Sequence, residues 1–289
     1  MADVVARGVR FNVIRMGQGA PTIVLVHGLV MDSHASYYLS IAPALARAAS
    51  VVLYDLRGHG RSEQPPSGYT MADMVSDLLG ILDGIDLHDE PVVLVGNSYG
   101  GQIVMRAAAA EPHRVRALVL VDAQLGIPDF TRELREVLDA DPEERDRKAY
   151  ELFGRWLAAH AAERDQRLAA SGEDFATRRS ATIDDVLQHR KQRRSPGVRT
   201  AVGLARDTTL IADLAREVAI CDAAIARIGC PVLAVYGERS ELREGETRLR
   251  RLLPQLEIAV VPGMGHTVLL EAPNALRDTI VGWLAQMPT

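Results

Sequence analysis

The chain has 289 residues, 47% of them hydrophobic and 25% charged, with two cysteines and a net charge of −5. This composition suits one large soluble α/β domain, or one domain carrying an insertion. The negative balance gives no footing for nucleic acid or an anionic membrane, and two cysteines make neither a disulfide framework nor a metal site. The first ten residues lack the apolar run of a signal peptide, and no stretch approaches transmembrane length, so a cytoplasmic protein is expected.

In chain order, β-type runs are predicted over 9–14 and 22–26, the second passing directly into His27-Gly28-Leu29. A helix over 37–48 leads to a strand over 51–54 and then to the glycine-rich segment Asp55-Leu56-Arg57-Gly58-His59-Gly60-Arg61-Ser62. A helix over 71–85 precedes a strand over 92–95, which enters Gly96-Asn97-Ser98-Tyr99-Gly100 and a helix over 101–110. The strand over 115–121 closes on Asp122. After a long interruption come strands over 231–236 and 257–261 and helices over 245–253 and 274–283. Most strands are unbroken Val/Ile/Leu runs, as suits strands covered on both faces, and the alternation predicts a mainly parallel sheet with helices on both sides.

The rhythm breaks between about residues 126 and 220. Residues 129–194 carry 15 acidic and 14 basic side chains and no β-type run. Phe153, Trp156, Leu157 and His160 follow the i, i+3, i+4, i+7 spacing of an amphipathic helix. The expected organisation is a core of residues 1–125 and 221–289 interrupted by a helical cap over 126–220. Lying between two sheet strands, the insertion is a candidate lid over the serine; the plainer reading is a solvated helical appendage.

Chemistry concentrates at Gly96-Asn97-Ser98-Tyr99-Gly100. Glycines two residues either side of a serine, between a strand and a helix, are the pattern of a nucleophile elbow. A serine hydroxyl is a weak nucleophile and needs a base, a group to orient that base, and donors for an oxyanion. His266, in the glycine loop Pro262-Gly263-Met264-Gly265-His266 after the last strand, is placed to serve as base. The backbone N–H groups of Tyr99 and Leu29 are the natural oxyanion donors. His27 reads as a histidine bonding neighbouring loops, with a place in the substrate pocket as the other role. Asp55 and His59 are thin evidence for a metal, and no metal or cofactor is expected.

Together His27-Gly28, the segment 55–62, the elbow at Ser98, and Gly265-His266 with Glu271-Ala272-Pro273 resemble a capped member of the α/β-hydrolase superfamily. The resemblance spans nearly the whole chain outside the insertion. It implies that the 55–62 loop is structural. It also implies a triad acid, which in many relatives is an Asp three residues after the glycine ending the penultimate strand. Here that position is Ser240, within Gly237-Glu238-Arg239-Ser240-Glu241. Asp122, after the strand next to the elbow, is the preferred acid, as in some relatives. Glu241 is the second choice, and Glu238 is also open with a shifted loop. The structural alternative for Asp122 is a carboxylate capping the insertion's first turn.

By this resemblance the chain is a serine hydrolase cleaving an ester or lactone of an apolar small molecule through an acyl-enzyme, with Phe153 and Trp156 of the cap in a water-poor pocket. C–C bond hydrolysis or thioester cleavage on the same scaffold are the alternatives. A ligand-binding protein with weak turnover is the remaining one. The expected partner is the small-molecule substrate alone, with self-association into a homo-oligomer left open.

Overall fold

The computed structural model describes residues 2–29, 32–123, 125, 128–141, 144–145, 147–148, 151–152 and 203–287. It opens on a hairpin in which β1 (Ala2–Ala6) turns through Arg7-Gly8 into β2 (Val9–Met16). Both turn residues have positive φ, 51° and 77°, the backbone that matches strand twist in a two-residue turn. The sequence reading has no strand before residue 9. Ala2-Asp3-Val4-Val5-Ala6 carries only two β-branched residues, and its strand conformation comes from pairing with β2.

After β3 (Thr22–Val26), the single helix expected over 37–48 is instead two short ones, α1 (Ala35–Tyr38) and α2 (Ala42–Leu45). Pro43 is the reason: it has no N–H for the Leu39 carbonyl, and its ring would collide with that carbonyl in a continuous helix. β4 (Ser50–Tyr54) follows, then α3 (Met71–Gly84). Thr70 caps α3 by accepting the Asp73 N–H at 3.1 Å, while the Asp73 carboxylate accepts the Thr70 N–H at 3.3 Å. β5 (Val92–Asn97), α4 (Tyr99–Ala110), β6 (Val115–Val121) and α5 (Pro128–Leu138) complete the first half. The second half has α6 (Leu210–Arg216), α7 (Asp222–Ile225), β7 (Val232–Gly237), α8 (Glu246–Leu252), β8 (Leu256–Val261), α9 (Val268–Glu271) and α10 (Pro273–Leu284).

The eight strands form one sheet in the order β1-β2-β4-β3-β5-β6-β7-β8. β2 is antiparallel to β1 and β4, and every other pairing is parallel. Successive residues of the central strands serve two cores. Val24, Val26 and Leu94 pack with Met74 and Leu78 of α3 and Ile103 of α4. Ile23, Leu25, Val93 and Val95 pack with Leu45 of α2 and Ile280 and Trp283 of α10. A fully buried Leu or Val contributes roughly 1.5–3 kcal/mol, so both faces must stay apolar and the strands carry no polar alternation.

Register then sets the site. Asn97 pairs with Val121, Val121 with Val235, and Gly237 with Val261. The carboxyl ends of β5 and β6 are therefore level, those of β7 and β8 run two residues further, and the residues just beyond all four share one edge of the sheet, where ligands bind in such folds.

Within the expected insertion, α5 and α6 are described and linked, Arg135 Nε donating to the Ala215 carbonyl at 2.9 Å. α6 is tied to the loop before α3: the Tyr69 N–H donates to Asp213 Oδ2 at 3.1 Å, and the Thr209 N–H to the Pro66 carbonyl at 2.9 Å. Phe153, Trp156, Leu157 and His160 lie outside the described residues. Among the described residues, no helix is long and apolar enough to cross a membrane.

Candidate active site

Ser98 stands between β5 and α4 with φ 51° and ψ −115°. That backbone costs a non-glycine residue about 1–3 kcal/mol, and the sheet holds it there. The Ser98 N–H donates to the Val121 carbonyl of β6 at 3.0 Å. The flanking glycines are a steric requirement: a Cβ on Gly100 would sit 2.3 Å from the Val26 carbonyl oxygen, and one on Gly96 2.5 Å from that of Gly100. With both absent, strand and helix cross closely enough to aim the hydroxyl off the sheet edge.

Three of the expected residues meet there. His266 Nε2 lies 3.0 Å from Ser98 Oγ, and His266 Nδ1 lies 2.6 Å from Asp122 Oδ2. A carboxylate can only accept, so the imidazole proton belongs on Nδ1, which leaves the Nε2 lone pair to receive the serine hydroxyl proton. Ser98, His266 and Asp122 are 7%, 9% and 0% exposed, so water competes little for any of these bonds.

Asp122 reaches the imidazole by leaving β6 with φ 45°. Its N–H still donates to the Val235 carbonyl at 2.8 Å, so β7 fixes the turn. The carboxylate has two further donors, Ser240 Oγ at 2.9 Å to Oδ2 and the Gly237 N–H at 3.4 Å to Oδ1. Glu241, the other candidate acid, is exposed and opens a 3₁₀ turn, Glu241–Gly245. Glu238 faces the histidine loop from outside, accepting the Gly263 N–H at 2.8 Å. With the Arg239 N–H donating to the Met264 carbonyl at 2.9 Å, it clasps the loop carrying His266 to the end of β7. Gly237 makes that clasp possible, since a Cβ there would lie 2.1 Å from the Gly265 carbonyl oxygen.

The loop after β3 runs beside the nucleophile. A Cβ on Gly28 would lie 3.7 Å from that of Ser98, so the loop that leads into Leu29 passes beside the elbow, while Tyr99 opens α4. Two clamps hold this loop. The Gly28 N–H donates to Asp32 Oδ2 at 2.7 Å. His27 is fully buried, with Nε2 accepting the Leu56 N–H at 3.0 Å and Nδ1 against the Gly28 carbonyl at 2.7 Å. Both ring nitrogens of His27 are thereby engaged with backbone, which fits the loop-bonding role.

Asp55 and His59 fold the neighbouring loop. Asp55 accepts from Asn12 Nδ2 at 2.8 Å, the His34 N–H at 2.9 Å, His34 Nδ1 at 2.7 Å and the Arg61 N–H at 2.9 Å. Burial alone would raise its carboxyl, yet these bonds outweigh it and hold Asp55 well below the usual carboxylate range. Among the described residues, no group of three or more His, Cys, Asp or Glu is arranged to hold a metal ion.

Burial, helped by the nearby His27, pushes His59 down from 6.5 to about 4. The folded chain thus keeps it neutral while the unfolded chain protonates it as pH falls below about 6.5. Stability from this group is complete above that value and declines as the pH drops through 6.5 toward 4, by roughly 3 kcal/mol in total. In urea titrations, His59→Gln will be less stable at pH 7.5 but will lose less stability than wild type between pH 7 and 4.5. An identical pH slope in both proteins would show that His59 is not the group that titrates.

Two contributors are absent from the sequence reading as site residues. Asp32 could have been found as an acidic residue four positions after Gly28, spaced to cap the turn. In the sequence Ser240 marks only the place where an acid is missing. The structure puts its hydroxyl on the acid itself.

A family model for the alpha/beta hydrolase fold matches residues 21–273. The chain belongs to the α/β-hydrolase fold family. It is 38% identical over 139 residues to a 2-hydroxy-6-oxo-2,4-heptadienoate hydrolase from Pseudomonas putida, covering 47% of this chain and 48% of that protein. The chain spans less than half the length of several curated relatives it matches, that one included, at 43% to 48%. A 2-(acetamidomethylene)succinate hydrolase from Mesorhizobium japonicum is 28% identical over 281 residues, covering 96% of this chain and 92% of the relative. Among solved structures, a thermophilic esterase from Thermogutta terrifontis superposes with a TM-score of 0.75 at 21% identity, covering 99% of this α/β hydrolase and 98% of the other chain. At that identity the likeness speaks for the fold.

Proposed function

We propose that this α/β hydrolase is a serine hydrolase that cleaves an ester or lactone bond of an apolar small molecule. One observation carries the reading: an unbroken hydrogen-bonded series from Ser98 Oγ through the His266 ring to the buried Asp122 carboxylate. In it, Ser98 Oγ bonds the substrate carbonyl carbon as its proton passes to His266 Nε2. The oxyanion receives the N–H groups of Tyr99 and Leu29, each worth about 3 kcal/mol of barrier. His266 then gives its proton to the leaving alkoxide as the C–O bond breaks, forming the acyl-enzyme. A water, deprotonated by the same imidazole, adds to the acyl carbon, and Ser98 leaves with its proton restored. Asp122 holds the ring's tautomer and stabilises its charged form throughout. The segment 126–220 would act as the lid that keeps the acyl pocket dry, with Phe153 and Trp156 as its apolar contacts. No step in this scheme needs a cofactor.

A second reading is hydrolysis of a C–C bond in a diketone-like substrate, which the P. putida relative's name favours. A p-nitrophenyl ester series from acetate to octanoate, run beside a vinylogous 1,5-diketone, separates the two. The expected result is ester turnover as the larger kcat/KM, with stoichiometric phosphonylation of Ser98 read by mass spectrometry. A larger kcat/KM on the diketone would move the assignment to C–C cleavage. Neither turnover nor labelling would remove serine hydrolysis altogether.

A further inference from the structure

We infer that Ser240 is a positioning residue for the proton relay: its hydroxyl, bonded to the carboxylate oxygen that faces His266, fixes the aim and charge of Asp122. The inference rests on the serine-hydrolase reading for its kinetic consequences, but its structural basis is separate.

Asp122 Oδ2 is shared. It lies 2.6 Å from His266 Nδ1 and 2.9 Å from Ser240 Oγ. The orientation of the Ser240 hydroxyl is settled by its other partner, because the Leu242 N–H donates to Ser240 Oγ at 3.2 Å. That bond takes a lone pair on the oxygen and leaves the hydroxyl proton directed at Asp122. The Ser240 backbone is fixed in turn, its N–H donating to the Gly237 carbonyl at 3.1 Å. At 6% exposure the residue has little access to water as an alternative partner.

A fully buried carboxylate keeps its charge only where donors replace its hydration. Besides the imidazole, Asp122 has Ser240 and the longer contact from the Gly237 N–H at 3.4 Å, so Ser240 is the stronger of the two supports. Removing it leaves more uncompensated negative charge against His266, which favours both the imidazolium and a protonated Asp122. Either change moves the protonation of the coupled pair to higher pH. Among the described residues, Tyr236 on β7 also faces this carboxylate, and burial, with the Asp122 charge beside it, drives its phenol far above its ordinary value. Glu246 and Arg243 lie beyond it and act on the same phenol. The neutral phenol contributes no titration of its own near neutral pH.

The test uses the full-length protein with p-nitrophenyl butyrate as probe, and a substrate-free readout of His266 by NMR. In Ser240→Ala, kcat is expected to fall on the order of tenfold with KM little changed, as for loss of a hydrogen bond to a charged group. The acid limb of kcat/KM and the His266 midpoint should both move to higher pH. Ser240→Thr, which keeps the hydroxyl, should hold both near wild type. An unmoved His266 midpoint in folded Ser240→Ala, with only thermal stability reduced, would reduce Ser240 to a helix cap and overturn the inference. If no ester is turned over yet the midpoint moves in Ser240→Ala alone, the hydrolase reading fails and the positioning role stands.

Discussion

Ser98→Ala is expected to lower kcat/KM on p-nitrophenyl esters by about 10⁵-fold while leaving the fold intact. The size follows from what the substitution removes. Without the hydroxyl there is no acyl-enzyme, and what remains is water attacking a carbonyl held by the oxyanion donors, worth about 10³–10⁴ over solution. The fold should survive because alanine keeps the Cβ, so the strained backbone at φ 51° is no worse, and the side-chain bond given up is the one to His266 at 3.0 Å. A calorimetric Tm within a few degrees of wild type, alongside the activity loss, is the expected pair of results. Retention of more than about 1% of the activity by a folded variant would mean that another group attacks the carbonyl. The same loss could be reached from Gly100, but by a different route. There an added methyl meets the Val26 carbonyl oxygen at 2.3 Å and displaces the elbow, so activity and stability would fall together.

What could be read from the sequence, and what could not, divides along the range of the forces involved. The elbow was legible because its causes are local: two glycines, a strand and a helix within a dozen residues dictate the turn. The parallel sheet was legible from unbroken apolar runs, because burial on both faces leaves nothing else to write in them. The break between α1 and α2 also has a local cause, Pro43, which the expected single helix over 37–48 leaves out of account. β1 was not legible, since only the partner strand makes residues 2–6 extended. The acid stayed open between positions 122 and 241 for a related reason. Which carboxylate meets His266 depends on the register that brings the ends of β6, β7 and β8 to one edge of the sheet, and register is a property of three distant segments at once. Ser240 was hidden by the same fact: a serine looks like a deletion of the acid until the neighbouring strand supplies one.

Asp122→Asn is expected to cost about 10⁴-fold in kcat, whereas Glu241→Gln should stay within about twofold of wild type. The asymmetry comes from counting donors. The two oxygens at 122 receive His266 Nδ1–H at 2.6 Å, Ser240 Oγ–H at 2.9 Å and the Gly237 N–H at 3.4 Å. Three donors suit a carboxylate, but an amide must place an NH₂ among them. If that NH₂ faces the imidazole, Nδ1 must become the acceptor and the ring proton moves to Nε2, where it opposes the serine hydroxyl and ends base catalysis. If the amide oxygen faces the imidazole instead, its NH₂ meets the Gly237 N–H, and the imidazolium loses the negative charge that stabilises it. Either arrangement leaves binding intact, so kcat should carry the loss while KM holds. Glu241 is exposed to solvent at the start of a 3₁₀ turn, and its charge is screened there. Measuring kcat for both variants on one ester therefore assigns the acid: a large loss at 241 with a small one at 122 would require the loop after β7 to move toward His266 during turnover and would reassign the relay.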